Sequence, residues 1–258
     1  MSLQFSNLGV RFGTEKNPFW AVRGADLTIA DNEFVSVVGT SGCGKSTLLS
    51  VGAGLQDKTE GVALIDGVPI DGPGRDRGVV FQSYTLLPWL TAAENIEFAL
   101  REVGVARRER KDRAAEMLAA VGLTGFADRY PAELSGGMRQ RVAIARVLSY
   151  RPTTLLMDEP FGALDALTRQ LMQELLVTIW EQTPMTVLFI THDIHEAVFL
   201  SDRVVVMTNK PGRVKADIPI ALPRPRTHEM VRSNEFVALQ EEVLGHIRDE
   251  TLLVEHLV

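Results

Sequence analysis

Gly39-Thr40-Ser41-Gly42-Cys43-Gly44-Lys45-Ser46-Thr47 follows an apolar run, Phe34 to Val38, and precedes a helical opening, Lys45 to Val51. The stretch fits G-x-x-x-x-G-K-[ST], the pattern of a loop that cradles a polyphosphate between a strand and a helix. Glycines let the backbone curl, so that several N–H groups and a helix N-terminus converge on one anion. Lys45 is placed to reach the terminal phosphates, and the Ser46 hydroxyl to hold Mg²⁺. A plain glycine-rich turn is the simpler reading. The strand before it, the helix after it and Lys-Ser-Thr at its end favour a nucleoside triphosphate site.

The rest of the composition narrows the class. A chain of 258 residues suits one sizeable α/β domain with room for a smaller inserted subdomain. The net charge of −6 argues against a nucleic-acid partner, whose usual footprint is a basic stripe. Cys43 is the one cysteine, which rules out an intrachain disulfide and suits a reducing, cytoplasmic compartment. Its place inside the loop predicts that alkylating the thiol blocks nucleotide and that bound nucleotide protects it. Met1 to Ser6 lack the basic and apolar regions of a signal peptide. Apolar runs such as Val187–Ile190 and Val204–Met207 are strand-sized, far short of the roughly 20 residues that span a bilayer. Any tie to a membrane is therefore expected through a partner.

Along the chain, Leu3/Phe5, Val10/Phe12 and Leu27/Ile29 alternate as short antiparallel strands would. Val62–Ile65 and Val68–Ile70 predict a hairpin turning at Asp66-Gly67, and Arg77–Gln82 a further strand. From Thr91 to Leu148 the pattern is helical. Thr91-Ala92-Ala93-Glu94 is a capping box, Arg107–Val121 a second helix closed by Gly122, and Pro131 precedes a third with Met138, Val142 and Ala145 on one stripe. Strand–helix alternation returns with Thr154–Met157, Ala166–Glu181, Thr186–Thr191 and Ile194–Leu200. Val204–Met207 and Val214–Ile220 read as a closing hairpin around Asn209-Lys210-Pro211-Gly212. A last helix runs from about His228 to the end, its stripe of Phe236, Leu239, Val243 and Ile247 packing back on the domain.

Two further constellations bear on the nucleotide. Thr154 to Met157 is an apolar strand ending in Asp158-Glu159. Extended backbone sends adjacent side chains to opposite sides, so the two carboxylates are given different tasks. Asp158 is placed to help hold Mg²⁺, and Glu159 to polarise a water for attack on the γ-phosphate. Leu134-Ser135-Gly136-Gly137-Met138-Arg139-Gln140-Arg141 opens a helix with exposed N–H groups and a hydroxyl, a second anion site in one chain.

In order, the phosphate loop, Gln82, Leu134–Gln140, Asp158-Glu159, Gly162-Ala163-Leu164-Asp165 and Thr191-His192-Asp193 resemble the ATP-binding subunits of ABC transporters over nearly the whole length. The resemblance implies an α/β fold with a P-loop NTPase (RecA-like) core, an N-terminal antiparallel β-subdomain and an inserted helical subdomain at about 84–140. Residues 1–226 would form the ATP-binding domain and 227–258 a C-terminal helical extension. It also implies a head-to-tail dimer, with ATP lying between Gly39–Thr47 of one subunit and Ser135, Gly136, Gly137 and Asp165 of the other. The partner subunit would be a second copy or a paralogue. Gln82 would sense Mg²⁺ and the attacking water, and His192 would contact the γ-phosphate and orient the water of Glu159. Phe12 stands where the family places an adenine-stacking aromatic, with Trp20 as the alternative.

Leu86-Leu87-Pro88-Trp89-Leu90-Thr91, Gly162 to Arg169 and Asn209 to Arg213 look like the nitrate/sulfonate/taurine importer branch. That likeness implies an ATPase at the cytoplasmic face of the membrane, held there by a permease whose short helix docks near Leu87, Trp89 and Leu90. A solute-binding protein would supply the cargo, and no nucleic acid would be bound. Exporter or lipoprotein-release ATPases share the chemistry. A soluble ABC ATPase acting on ribosomes or nucleic acid is the more distant alternative.

Overall fold

The computed structural model describes residues 1–14 and 16–255. Its first two elements, β1 (Leu3–Thr14) and β2 (Asn17–Ile29), form one long antiparallel ribbon. The alternation in sequence suggested shorter strands. The ribbon's register slips between Phe5 and Leu8 and again before Arg11, and Asn7 takes left-handed backbone at φ 46°. Each bulge shifts the period-2 phase, so one continuous strand reads as two.

β3 (Phe34–Val38) is buried throughout and runs into the phosphate loop and α1 (Lys45–Gly52). β4 (Glu60–Ile65) and β5 (Val68–Pro69) turn at Asp66-Gly67, both with positive φ, and complete a sheet of order β2-β1-β4-β5. β6 (Arg77–Val80) stops before Gln82, which lies in the following loop rather than on the strand.

Three helices follow. α2 (Ala92–Glu102) carries the expected capping box: Glu94 N donates to Thr91 Oγ1 at 3.2 Å, and Thr91 N to Glu94 Oε2 at 2.8 Å. α3 (Arg107–Ala120) gives way to a chain reversal at Gly122, φ 68°. Pro131 opens only a short 3-10 turn. α4 (Gly136–Leu148) begins at the Ser135 cap, where Ser135 Oγ accepts from Met138 N at 3.2 Å.

β7 (Thr154–Asp158), α5 (Ala166–Gln182), β8 (Thr186–Ile190), α6 (Ile194–Leu200), β9 (Arg203–Met207) and β10 (Val214–Pro219) complete the second sheet, of order β10-β9-β3-β8-β7-β6. Its strands are parallel except for the antiparallel edge strand β10. A parallel sheet must be covered on both faces, and this one is. Phe34 and Val38 of β3 with Val187 and Phe189 of β8 face one core; Val35 and Val37 with Leu188 and Ile190 face the other. The expected last helix is split: a 3-10 turn at His228–Arg232 precedes α7 (Asn234–Glu255). Phe236 and Val243 are buried, and half-buried Leu239 and Ile247 pack against the same core. Residues 256–258 of that expected helix lie outside the described residues.

An aromatic ladder links this core to the sheet's carboxyl edge. Trp180 lies 6.2 Å from Phe34, Phe34 5.8 Å from Phe189, and Phe189 5.7 Å from Phe161, just beyond Glu159-Pro160. Phe189→Ala removes the shared rung and should destabilise the chain by about 3–5 kcal/mol, read as a lower urea midpoint.

Candidate functional site

The loops leaving the carboxyl ends of β3, β8, β7 and β6 converge on one cleft of about 670 Å³. In open α/β sheets ligands bind at this edge. The phosphate loop forms the floor. Gly44 caps α1 at φ 100°, and a Cβ there would stand 2.7 Å from both Ala21 O and Val22 Cγ2, so only glycine lets the loop close against β2. Buried Lys45 donates from Nζ to Gly39 O at 2.8 Å and Thr40 O at 3.1 Å, holding the curl from within. Ser41, Gly42, Gly44, Lys45, Ser46 and Thr47 line the cleft. Gly39, Thr40 and Cys43 form the back of the loop.

The surroundings of Cys43 bear on the alkylation considered above. Its side chain is fully buried, and that burial pushes the thiol pKa up despite the neighbouring Lys45 ammonium. The thiolate is the nucleophile, so this sulfur is shielded from alkylation rather than poised for it.

The carboxylates part as strand geometry requires. Asp158 closes β7 near Ser46; burial raises its pKa despite the neighbouring Ser46 hydroxyl, and the Glu159 charge adds to the rise. Glu159 takes left-handed backbone at φ 45°, uncommon for a residue with a side chain, and its N–H donates to Ile190 O at 2.9 Å. Its Oε2 lies 3.1 Å from His192 Nδ1 and accepts from Gln82 Nε2 at 3.3 Å. Three loops thus meet at one oxygen. His192 is 67 % exposed, but its backbone is pinned on both sides. Thr191 Oγ1 donates to Glu196 at 2.7 Å and accepts from Asp193 N at 2.9 Å, while Asp193 caps α6.

The Gln82 loop is tied to the helical region as well. Arg146 donates to Thr85 O at 2.8 Å and Thr85 Oγ1 at 2.9 Å, and Arg139 stacks over Tyr84 at 5.0 Å.

At the cleft's open end the aromatic lining is Phe12 with Phe19, their rings 5.8 Å apart. Trp20 does not line the cleft. Pairing in the ribbon sets Phe12 opposite Phe19 and Arg11 opposite Trp20, so Trp20 falls on the other face, between Arg11 and Arg23. Phe19, Ala21 and Lys210 join the lining without having been marked by the motifs.

Ser135, Gly136, Gly137 and Asp165 are not part of this cleft. They form a second patch, where the α4 N-terminus abuts Ala163 and Leu164: a Cβ on Gly137 would stand 3.3 Å from Leu164 Cδ2. Exposed Asp165 caps α5, accepting from Thr168 N at 3.0 Å, and that backbone hydrogen bond lowers its pKa.

The cleft therefore offers ring-backed space, an amide-rich anion cradle and a carboxylate fixed by a histidine and a glutamine. That arrangement suits activation of a water against a bound phosphate. Among the described residues no group of three or more His, Cys, Asp or Glu could hold a metal alone. Mg²⁺ usually needs only one or two carboxylates plus substrate phosphates, and the Ser46–Asp158 pair fits that demand.

Comparison with known proteins shows the family. Residues 22–162 match the family model described as ABC transporter. An uncharacterized ABC transporter ATP-binding protein of Methanocaldococcus jannaschii is 48% identical over 252 residues, 98% of this chain and 93% of that protein. The nitrate import ATP-binding protein NrtD of Synechocystis is 44% identical over 254 residues, 96% of each chain. The bicarbonate transport ATP-binding protein CmpC of Synechococcus elongatus is 49% identical over 91% of this chain, which spans 36% of that longer protein. A solved dimeric ATP-binding cassette bound to ADP and Pi superposes with a TM-score of 0.79 at 35% identity, covering 86% of this chain and 100% of that one. The chain belongs to the ABC transporter family, as one of its ATP-binding, ATP-hydrolysing subunits.

Proposed function

We propose that this ABC ATPase drives uptake of a small anionic or zwitterionic solute, of the nitrate, sulfonate or taurine type. The observation that carries the catalytic half is the meeting of Gln82, Glu159 and His192 opposite the phosphate loop. Full-length likeness to a nitrate import subunit supports the solute class. Glu159 would act as the general base, His192 would orient it and contact the γ-phosphate, and Lys45 would grip the β- and γ-phosphates. Ser46, Gln82 and Asp158 would hold Mg²⁺, which neutralises phosphate charge when bound. Phe12, with Phe19 beside it, would stack on the base.

Residues 1–226 would act as the ATP-binding unit, with the helical segment of about 84–140 inserted in it and 227–258 as its extension. Ser135, Gly136, Gly137 and Asp165 stand apart from their own chain's cleft, which supports a head-to-tail dimer in which each completes the other's site. The partner for the membrane is a permease. Trp89, 69% exposed, stands with Leu90 and Phe98 at a groove of about 310 Å³ whose rim carries Glu94, Glu97, Arg101 and Arg110. Buried Asn95 braces the turn behind it, with Nδ2 donating to Leu87 O at 3.2 Å and Leu90 O at 3.0 Å. A groove that pairs Trp89, Leu90 and Phe98 with a charged rim suits a short docking helix. None of the described helices is long and apolar enough to cross a membrane, so the permease would hold this subunit at the cytoplasmic face.

Affinity capture from detergent-solubilised membranes should recover a permease and a solute-binding protein; recovery of ribosomes or DNA instead would overturn the reading. Glu159→Gln should lower kcat by about 100-fold or more while leaving the Kd for ATP nearly unchanged. It should also accumulate as an ATP-bound dimer in sedimentation. Ser135→Arg should abolish hydrolysis while the monomer still binds ATP in equilibrium dialysis. Iodoacetamide at neutral pH should label Cys43 far more slowly in the folded chain than in denaturant, because protonation and burial both withhold the thiolate.

A further inference from the structure

The β9–β10 connection, Thr208 to Arg213, lies flush against the back of the phosphate loop. Gly212 N donates to Ala21 O at 2.9 Å, and Arg23 N donates to Gly212 O at 3.1 Å, which stitches the connection to β2. The approach is so close that a Cβ on Gly212 would stand 2.0 Å from Cys43 O. Thr208 Oγ1 closes the connection on itself, donating to Pro211 O at 3.0 Å and accepting from Arg213 N at 3.0 Å. The result is a rigid platform beside the cleft, and Lys210 is the residue it projects into the lining. A Cβ on Gly42, at the crest of the phosphate loop, would lie 3.4 Å from Lys210 Cε and 3.7 Å from its Nζ.

The charge balance of the cleft gives this ammonium a task. Lys45, the first ammonium of the cleft, lies at the base of the loop, donating to the Gly39 and Thr40 carbonyls. Glu159, the one carboxylate among the described lining residues, is engaged by His192 and Gln82. Among the described residues Lys210 Nζ makes no ion pair or hydrogen bond to protein, whereas its backbone N–H is fixed by Asn209 Oδ1 at 2.8 Å. A lysine acts on phosphate as a mobile point charge that needs no bidentate geometry, so a side chain reaching over the loop crest suffices.

The platform is held from behind by α7. Buried Glu250 accepts from Asn209 N through Oε2 at 3.0 Å, and its Oε1 lies 3.0 Å from Lys215 Nζ on β10. Lys215 Nζ also donates to His246 O at 2.9 Å, one turn earlier on α7. The C-terminal helix therefore grips both ends of the segment that carries Lys210.

We propose that Lys210 is a second ammonium of the nucleotide site, contacting the polyphosphate chain, and that Glu250 of α7 is its positioning residue. The proposal rests on the reading of the cleft as an ATP site. The test is calorimetric titration of the full chain with ATP, ADP and AMP. Lys210→Ala should weaken ATP and ADP about five- to tenfold and leave AMP within about twofold, as expected for loss of one charge-assisted contact to the β-phosphate. Lys210→Arg should restore most of the affinity. Glu250→Ala should weaken ATP alone but add nothing in the Lys210→Ala background, and Glu250→Gln, which keeps an acceptor for Asn209 N, should bind like the parent. An unchanged ATP affinity in Lys210→Ala, with the parent binding normally, overturns the Lys210 assignment and leaves the ATP reading intact. Equal losses for AMP and ATP overturn the phosphate contact, and additive losses in the double variant overturn the role of Glu250. A parent chain that binds no ATP brings down both readings together.

Discussion

The parallel pairing of β7 with β8 sets Asp158 opposite Ile190 and lets Glu159 N donate to Ile190 O at 2.9 Å. That single rung decides where two loops begin. With it, the first residue past β7 and the second past β8 come within 3.1 Å, and the Gln82 amide closes on the same oxygen. A slip of one residue would send Glu159 to the opposite side of the sheet and leave His192 without a partner. The rung is secured by burial rather than by local chemistry. β8 is buried along its whole length, and the aromatic ladder from Trp180 to Phe161 wedges beneath it.

Much of this was legible from residue order because the parts are local. A phosphate loop needs its strand, glycines, lysine and helix within a dozen or so positions, and all can be read in one pass. Parallel strands buried on both faces show as short apolar runs, which is why Phe34–Val38, Thr154–Asp158 and Thr186–Ile190 could be placed closely. The α/β class and the antiparallel N-terminal sheet followed from the change between the two patterns. The family's ordered motifs then carried the identification further than patterning could.

What escaped depends on register or on distant packing. The bulges in β1 hid its continuity, and the choice between Phe12 and Trp20 hinged on a pairing that alternation alone does not reveal. Cys43 lies in the phosphate loop, and its burial depends on distant packing, with Gly212 of the connection after β9 set against its carbonyl. Lys210 belongs to a segment that was read only as a hairpin turn and a marker of relatedness. Its place beside Gly42 comes from the β9–β10 hairpin returning over the loop, a contact between stretches far apart in the chain.

On the role proposed for Glu159, its left-handed backbone sets function against folding at that position. A residue with a full side chain is held in a conformation that glycine or asparagine would adopt with less strain. If Glu159 is the general base proposed above, selection for thermal robustness alone would drift toward an inert enzyme here, because relaxing the main chain discards the carboxylate. Efforts to harden this scaffold would do better to leave that corner strained and look for gains elsewhere.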